Sequence, residues 1–306
     1  MKKEESFQVR KPLGVRISRQ KWLLLMLIPG LVWYIVFKYI PMLGLGLAFT
    51  DYGFKAKVSF IGLKNFRRLF TSSIFAKAFK NTLIISLMNI VFYFPVPLVV
   101  ALMINELRSL KAKKVIQFLI YIPYFFSWVV VGSIFVNLLS PSSGPVNMLI
   151  KAMGRDPIYF MANPDYFRSI IVVSYIWRQM GYGAVIYIAA LTTVDPQLYE
   201  AATIDGAGHW GQLLHVTIPS MRSTIVRMLL LNLSHVLLIF EQILVMYNAA
   251  VYDVADVLQT YVYREGVLSG DIGYSVAVGM FTSIISLILV LSTNKLCSKV
   301  LDEPIL

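Results

Sequence analysis

The chain has 306 residues, 58% of them hydrophobic and 14% charged, with a mean hydropathy of +0.70 and a formal net charge of +12. Soluble domains run about 45–50% apolar and about 25% charged. An ordinary soluble protein is therefore excluded, and so is a disordered chain, which needs low hydrophobicity and high charge.

Residues 1–21 form a basic tail with Lys2, Lys3, Arg10, Lys11, Arg16, Arg19 and Lys21. The first apolar stretch, 22–49, is broken by Pro29 and Pro41. It is longer than a signal-peptide core and no A-x-A site follows, so it reads as a retained first span. Residues 50–80 mix Lys55, Lys57, Lys64, Arg67, Arg68, Lys77 and Lys80 with Phe66, Leu69, Phe70, Ile74 and Phe79. That pattern reads as an external amphipathic segment at the headgroups, or as a solvated loop.

Further apolar stretches follow at 82–104, 115–139, 170–191, 225–247 and 274–296. Each suffices to cross about 30 Å of hydrocarbon as a helix, and none alternates like a barrel strand. The expected fold is an all-α integral membrane protein of six transmembrane helices. The transmembrane core is 81–297, with a tail at 298–306. The short 105–114 loop carries Arg108, Lys111, Lys113 and Lys114. With the basic tail it places both termini and the 192–223 loop in the cytoplasm. The 50–80, 140–168 and 248–273 segments are then outside, although 50–80 has as many cations as the tail. Four prolines in 140–168 indicate a structured loop.

Ionisable and polar groups inside spans are the default functional candidates. Arg178 falls in the fourth stretch, and Asn232, His235 and Glu241 in the fifth. Tyr175, Trp177, Tyr182 and Tyr187 offer aromatic faces for stacking and polar tips for hydrogen bonds. Helix glue and interfacial anchoring are the competing readings. On one continuous helix, Asn232 and Glu241 lie about 180° apart, so they cannot share a narrow cavity. Arg178 and Glu241 are a candidate pair. The single cysteine, Cys297, permits neither an internal disulfide nor a thiolate metal cluster. His209, His215 and His235 lack HExxH spacing, and no GxxxxGK[ST] phosphate loop occurs.

The 192–223 loop is longer than a hairpin needs. Asp195 is a suitable N-cap and Pro196 a suitable first helical residue. Gly206 and Gly208 are candidate left-handed stops, with a second short helix from His209 to Ile218 ended by Pro219. Few charges and several apolar residues suit a docking surface.

Here the residues carry a resemblance. Glu200-Ala201-Ala202, then Gly206, then Ile218-Pro219, resemble the EAA loop of ATP-binding-cassette importer permeases. Ile218 replaces the usual leucine. Phe60 to Phe66, Asn81-Thr82, Trp177-Arg178, Gly181 and Ala189-Ala190-Leu191 are similar to sugar permeases of the maltose type. Leu258 to Arg264 and Gly266 resemble the LplB-type branch, associated with poly- and oligosaccharide uptake. The resemblance covers essentially the whole chain.

It implies a type I importer permease (MetI-like) bundle in the bacterial cytoplasmic membrane. Glu200, Ala201, Ala202, Asp205, Gly206, Ile218 and Pro219 would form the coupling element seated in an ATPase subunit. The implied partners are a second homologous permease in a heterodimer, two ATPase subunits, an extracellular solute-binding protein, membrane lipid and a carbohydrate. No nucleic acid is implied, nor any cofactor in this chain, since ATP and Mg would bind the ATPase. The candidate substrate path is Tyr175, Trp177, Tyr182, Asn232, His235 and Glu241, although one permease of such a pair can hold the sugar alone. The alternatives are an ion-coupled secondary transporter, which favours inverted repeats, and a membrane enzyme, for which no catalytic grouping is visible.

Overall fold

The computed structural model describes residues 20–53 and 58–301. Most of the basic tail, Lys55, Lys57 and the chain end from 302 lie outside the described residues. The described chain is helical, with one isolated bridge between Thr50 and Phe60.

Among the described residues, three helices are long and apolar enough to cross a membrane: Lys21–Phe49, Ser73–Asn105 and Ile272–Lys295. A fourth candidate is the pair Leu110–Phe125 and Trp128–Leu138, bent by 100°. The fourth apolar stretch becomes one 28-residue helix, Pro164–Leu191. At 1.5 Å per residue it extends about 42 Å. The fifth is not one helix. Arg222–His235 stops, 236–240 is irregular, and Glu241–Met246 resumes.

Prolines shape the helices. The π-helical turns Ile35–Tyr39, Asn89–Tyr93 and Leu213–Thr217 stand just before Pro41, Pro95 and Pro219. A proline lacks the N–H that would bond four residues back, and its ring crowds that carbonyl. A widened turn absorbs both effects without breaking the helix.

Lipid is as apolar as leucine, so helices in a membrane associate through close packing of small residues rather than by burying apolar area. The 164–191 helix does this twice. A Cβ on Gly181 would stand 2.0 Å from the Ile120 carbonyl oxygen, and one on Gly183 would stand 2.7 Å from Pro97. Around this pillar, Trp128, Val131, Phe167, Ile171, Ile243 and Met246 form one buried cluster.

The three segments expected outside meet at one end. Arg68 pairs with Asp271 and Glu265 and stacks 4.0 Å above Tyr274. Lys77 pairs with Asp253. Arg168 donates to Asn81, whose own amide donates to the carbonyls of Asp253 and Asp256. Buried Asp256 receives both guanidinium nitrogens of Arg264. In the 140–168 loop, buried Asn147 ties Leu139, Ser140 and Ile158 together. At the opposite end, His209 meets Glu106 at 3.3 Å, joining the 105–114 and 192–223 loops.

Within 50–80 the Lys64–Thr71 helix is amphipathic, burying Asn65 and Leu69. Leu69 does not face lipid: it is fully buried against Phe75, Tyr261 and Tyr274. The Lys64–Thr71 helix packs on the last helix; of Phe66, Leu69 and Phe70, only Phe70 is largely exposed.

Gly181→Ala should lower the melting temperature of the purified protein, because the obstructing atoms are backbone. A loss of about 1–3 kcal/mol is expected for such overpacking. Gly30→Ala, with open space around it, should leave melting unchanged or raise it slightly.

Candidate functional site

Two regions stand out, a loop at one end and a cavity within the bundle. In the loop, the Asp195 carboxylate accepts from the Gln197 N–H at 2.9 Å and starts the Pro196–Ile204 helix. The helix ends in a Schellman motif. Ala207 N–H bonds to the Ala202 carbonyl at 2.9 Å, Gly206 N–H bonds to Thr203 at 3.1 Å, and Gly206 has φ +80°. Gly208 differs from expectation: its φ is −70°, an extended N-cap that any residue tolerates. Pro219 does not end the second helix either. The Leu213–Thr217 turn accommodates it, and the helix continues through Ser220.

The two short helices are clasped by Tyr199 hydroxyl to Thr217 at 3.0 Å and by Gln212 to Thr203 at 2.9 Å. Glu200, Ala201, Asp205, Gly206 and Pro219 are exposed, while Ala202 and Ile218 are half-buried. Beside them Leu198, Ile204, Trp210 and Leu214 are also exposed, Ile204 at 86% and Trp210 at 72%. Sequence reasoning saw an apolar loop without singling out these side chains. Their signal was available, since no fold-forming periodicity claims Ile204 or Trp210.

A cavity of about 670 Å³ lies between the 164–191 helix and the broken fifth stretch. Of the six residues expected on a substrate path, Tyr175, Tyr182, Asn232, His235 and Glu241 line it. Trp177 does not; it packs on Phe126 and Phe135. Asn232 and Glu241 share the cavity because the helix between them is interrupted, which removes the continuous 100° rotation that would oppose them. The Ser86 hydroxyl donates to the Val236 carbonyl at this break.

Sequence reasoning missed Tyr93, Tyr124, Trp128, Gln179, Phe240 and Gln242 on the lining. The aromatic wall is ordered by stacking. Tyr124 lies parallel to Tyr182 at 4.6 Å, Trp128 stacks on Tyr175 at 6.2 Å, and Tyr93 meets Tyr175 edge-on at 4.9 Å. Arg178 does not pair with Glu241. Its Nε donates to the Phe126 carbonyl at 2.9 Å, at the 100° bend, and its guanidinium stacks 4.6 Å from Trp128 and 5.7 Å from Tyr124. It therefore contacts two cavity aromatics without lining the cavity itself.

Residues 95–300 match the family described as binding-protein-dependent transport system inner membrane component. The chain is 43% identical to the polygalacturonan/rhamnogalacturonan transport system permease protein YteP of Bacillus subtilis (strain 168), over 97% of this chain and 94% of that one. It is 41% identical to protein LplB of the same organism, over 92% of this chain and 90% of that one. A solved bacterial ABC transporter chain, involved in the import of the acidic polysaccharide alginate, superposes with a TM-score of 0.87 at 38% identity, covering 94% of this chain and 98% of that one.

Gly206→Val should loosen the loop without disturbing the bundle. An L-residue held in the left-handed region costs about 1–2 kcal/mol, and a β-branched one is disfavoured further. Faster chymotryptic cleavage at Tyr199 and Trp210 in membranes, with unchanged melting of the bundle, is the expected result.

Proposed function

The chain belongs to the family of binding-protein-dependent transport system inner membrane components, and from that premise we propose a specific division of labour within an oligosaccharide importer. It is a multi-pass permease subunit of an ABC importer, and the ion-coupled alternative falls away with the family assignment. The observation that carries the substrate class is the cavity, where Tyr124, Tyr182, Trp128 and Tyr175 offer flat faces beside Gln179, Asn232, His235 and Glu241. Sugar rings present apolar C–H faces and hydroxyl edges, which such a lining matches.

The remaining assignments rest on the same frame. The helix pair of 195–220 docks on an ATPase subunit, with Glu200, Ala201, Ala202, Asp205 and Gly206 on the first helix and its turn, and Ile218 and Pro219 on the second. Exposed Ile204 and Trp210 supply the apolar contact. Two ATPase subunits bind the nucleotide and metal, and a second permease completes a heterodimer around the path. The clustered 50–80, 140–168 and 248–273 segments face the binding protein outside, and both termini are cytoplasmic.

Glu200→Lys should keep membrane expression, weaken co-purification of the ATPase and reduce uptake, because it reverses an exposed charge at a docking surface. Unchanged ATPase binding together with unchanged uptake would refute the docking assignment. Topology is checked with single cysteines at exposed Ser73 and Ser220 in a Cys297→Ser background. An impermeant thiol reagent on intact cells should label position 73 and spare position 220. The reverse pattern would put the loop outside and end the ATPase-coupling reading.

A further inference from the structure

A short amphipathic helix with an uncovered apolar face stands at the end of Trp128–Leu138. The chain turns at 139–144, and Pro145–Ala152 begins at once. The turn is tight: the Gly144 N–H bonds to the Ser140 carbonyl at 3.0 Å, and a Cβ on Gly144 would stand 2.6 Å from the Leu138 carbonyl oxygen. On the inward side Asn147 is buried. Its Nδ2 donates to the Leu139, Ser140 and Ile158 carbonyls, and its Oδ1 accepts from the Ile158 N–H at 2.7 Å. Val146 and Ile150 are half-buried beside it. Gly154, at φ +75°, closes the helix in a Schellman motif, with the Arg155 N–H on the Ile150 carbonyl at 3.2 Å. At 100° per residue the opposite side is Pro145, Met148, Leu149 and Ala152, all exposed, and exposed Met153 extends it. Leu149 is 62% exposed and Met153 71%. This face carries no side-chain donor and no side-chain oxygen. Exposed Lys151 and Arg155 flank it, followed by exposed Asp156.

We propose that Pro145–Ala152 lies on the lipid of the outer leaflet, with Met148, Leu149 and Met153 among the acyl chains and Lys151 and Arg155 at the headgroup phosphates. Two observations name lipid as the occupant. The uncovered surface is continuous with a membrane-crossing segment: Val129, Val130 and Ile134 of the preceding helix are exposed, and so is Leu138 at its end. The charge also matches. Cations beside an apolar helix face meet anionic headgroups while the apolar side chains sink about 5–10 Å. A water-borne partner that docks and leaves meets a surface about as polar as the rest of a protein, and this face has no polar group to offer it. Asn147 ties the helix to the end of Trp128–Leu138 and to Ile158, so lipid contact fixes the level of the 140–168 loop at the membrane. The rest of the external rim stays free for the binding protein. The outer leaflet follows from the topology proposed above; the lipid contact does not depend on it.

The test uses the whole importer in lipid nanodiscs, with Leu149→Cys in a Cys297→Ser background and an otherwise cysteine-free complex, labelled with bimane. Met148→Cys is a second probe of the same face. Both positions are exposed, so the label leaves the packing intact. Lipids with a nitroxide near the top of the acyl chain should quench the label about twofold or more, as they do at Val129→Cys, while a water-soluble nitroxide quenches little. Saturating binding protein should leave both readings unchanged. Nitroxide on phosphatidylglycerol should quench about twofold more than on phosphatidylcholine, and Lys151→Gln with Arg155→Gln should equalise the two. Quenching from water that the binding protein blocks would make this face a docking surface for that protein and overturn the proposal. Shielding from both quenchers would assign the face to the partner permease and overturn it equally. Equal quenching by the two lipids in the wild-type complex would overturn the role given to Lys151 and Arg155. Impermeant labelling at position 73 reads the side of the membrane separately: lipid quenching at 149 with position 73 spared would overturn the outer leaflet and the proposed topology, and keep the lipid contact.

Discussion

A backbone carbonyl released from its helix inside a membrane protein must find another donor, because lipid offers none. Two such carbonyls organise this molecule. Phe126 sits at the 100° bend between Leu110–Phe125 and Trp128–Leu138, and Arg178 Nε reaches it. Val236 sits where the fifth stretch unwinds, and Ser86 Oγ reaches it. Each donor comes from a different helix, so each break is also a tie between helices. Without the first, the wall carrying Tyr124 and Trp128 loses its angle. Without the second, Asn232 and Glu241 return to opposite sides of one helix. Residues from both sides of each break line the cavity.

The two ends of the bundle meet opposite demands. At one end, Arg68, Lys77, Arg168 and Arg264 are paired with Asp271, Glu265, Asp253, Asp256 and backbone carbonyls. Exposed pairs such as Lys77–Asp253 contribute little to stability. The half-buried Arg264–Asp256 pair, with Thr260 on the same carboxylate, fixes the register of its segment instead. Among the described cations of 50–80, Arg68 and Lys77 have acids across the segment boundary. At the other end, the 195–220 loop leaves Leu198, Ile204, Trp210 and Leu214 uncovered. One end is held by pairs internal to the chain, and the other keeps its apolar contacts available.

The balance of readable and unreadable features follows from range. Apolar length marked the membrane class, and the Asp195-Pro196 start and Gly206 turn were legible because caps and positive φ depend on neighbours a few residues away. The Glu200-Ala201-Ala202 pattern pointed to the family for the same local reason. Gly208 and Pro219 were misjudged at this level, since a glycine can serve as an extended N-cap and a widened turn can carry a proline.

What the sequence by itself determined, then, was an all-helical membrane class and the caps of its loop, with six substrate-path candidates of which five line the cavity. Tertiary structure alone decided that those five share one space. A break at 236–240 and a bend at 126 depend on hydroxyl and guanidinium donors that lie 150 and 52 residues away along the chain. Helical periodicity, read along one segment, cannot contain a partner at that distance.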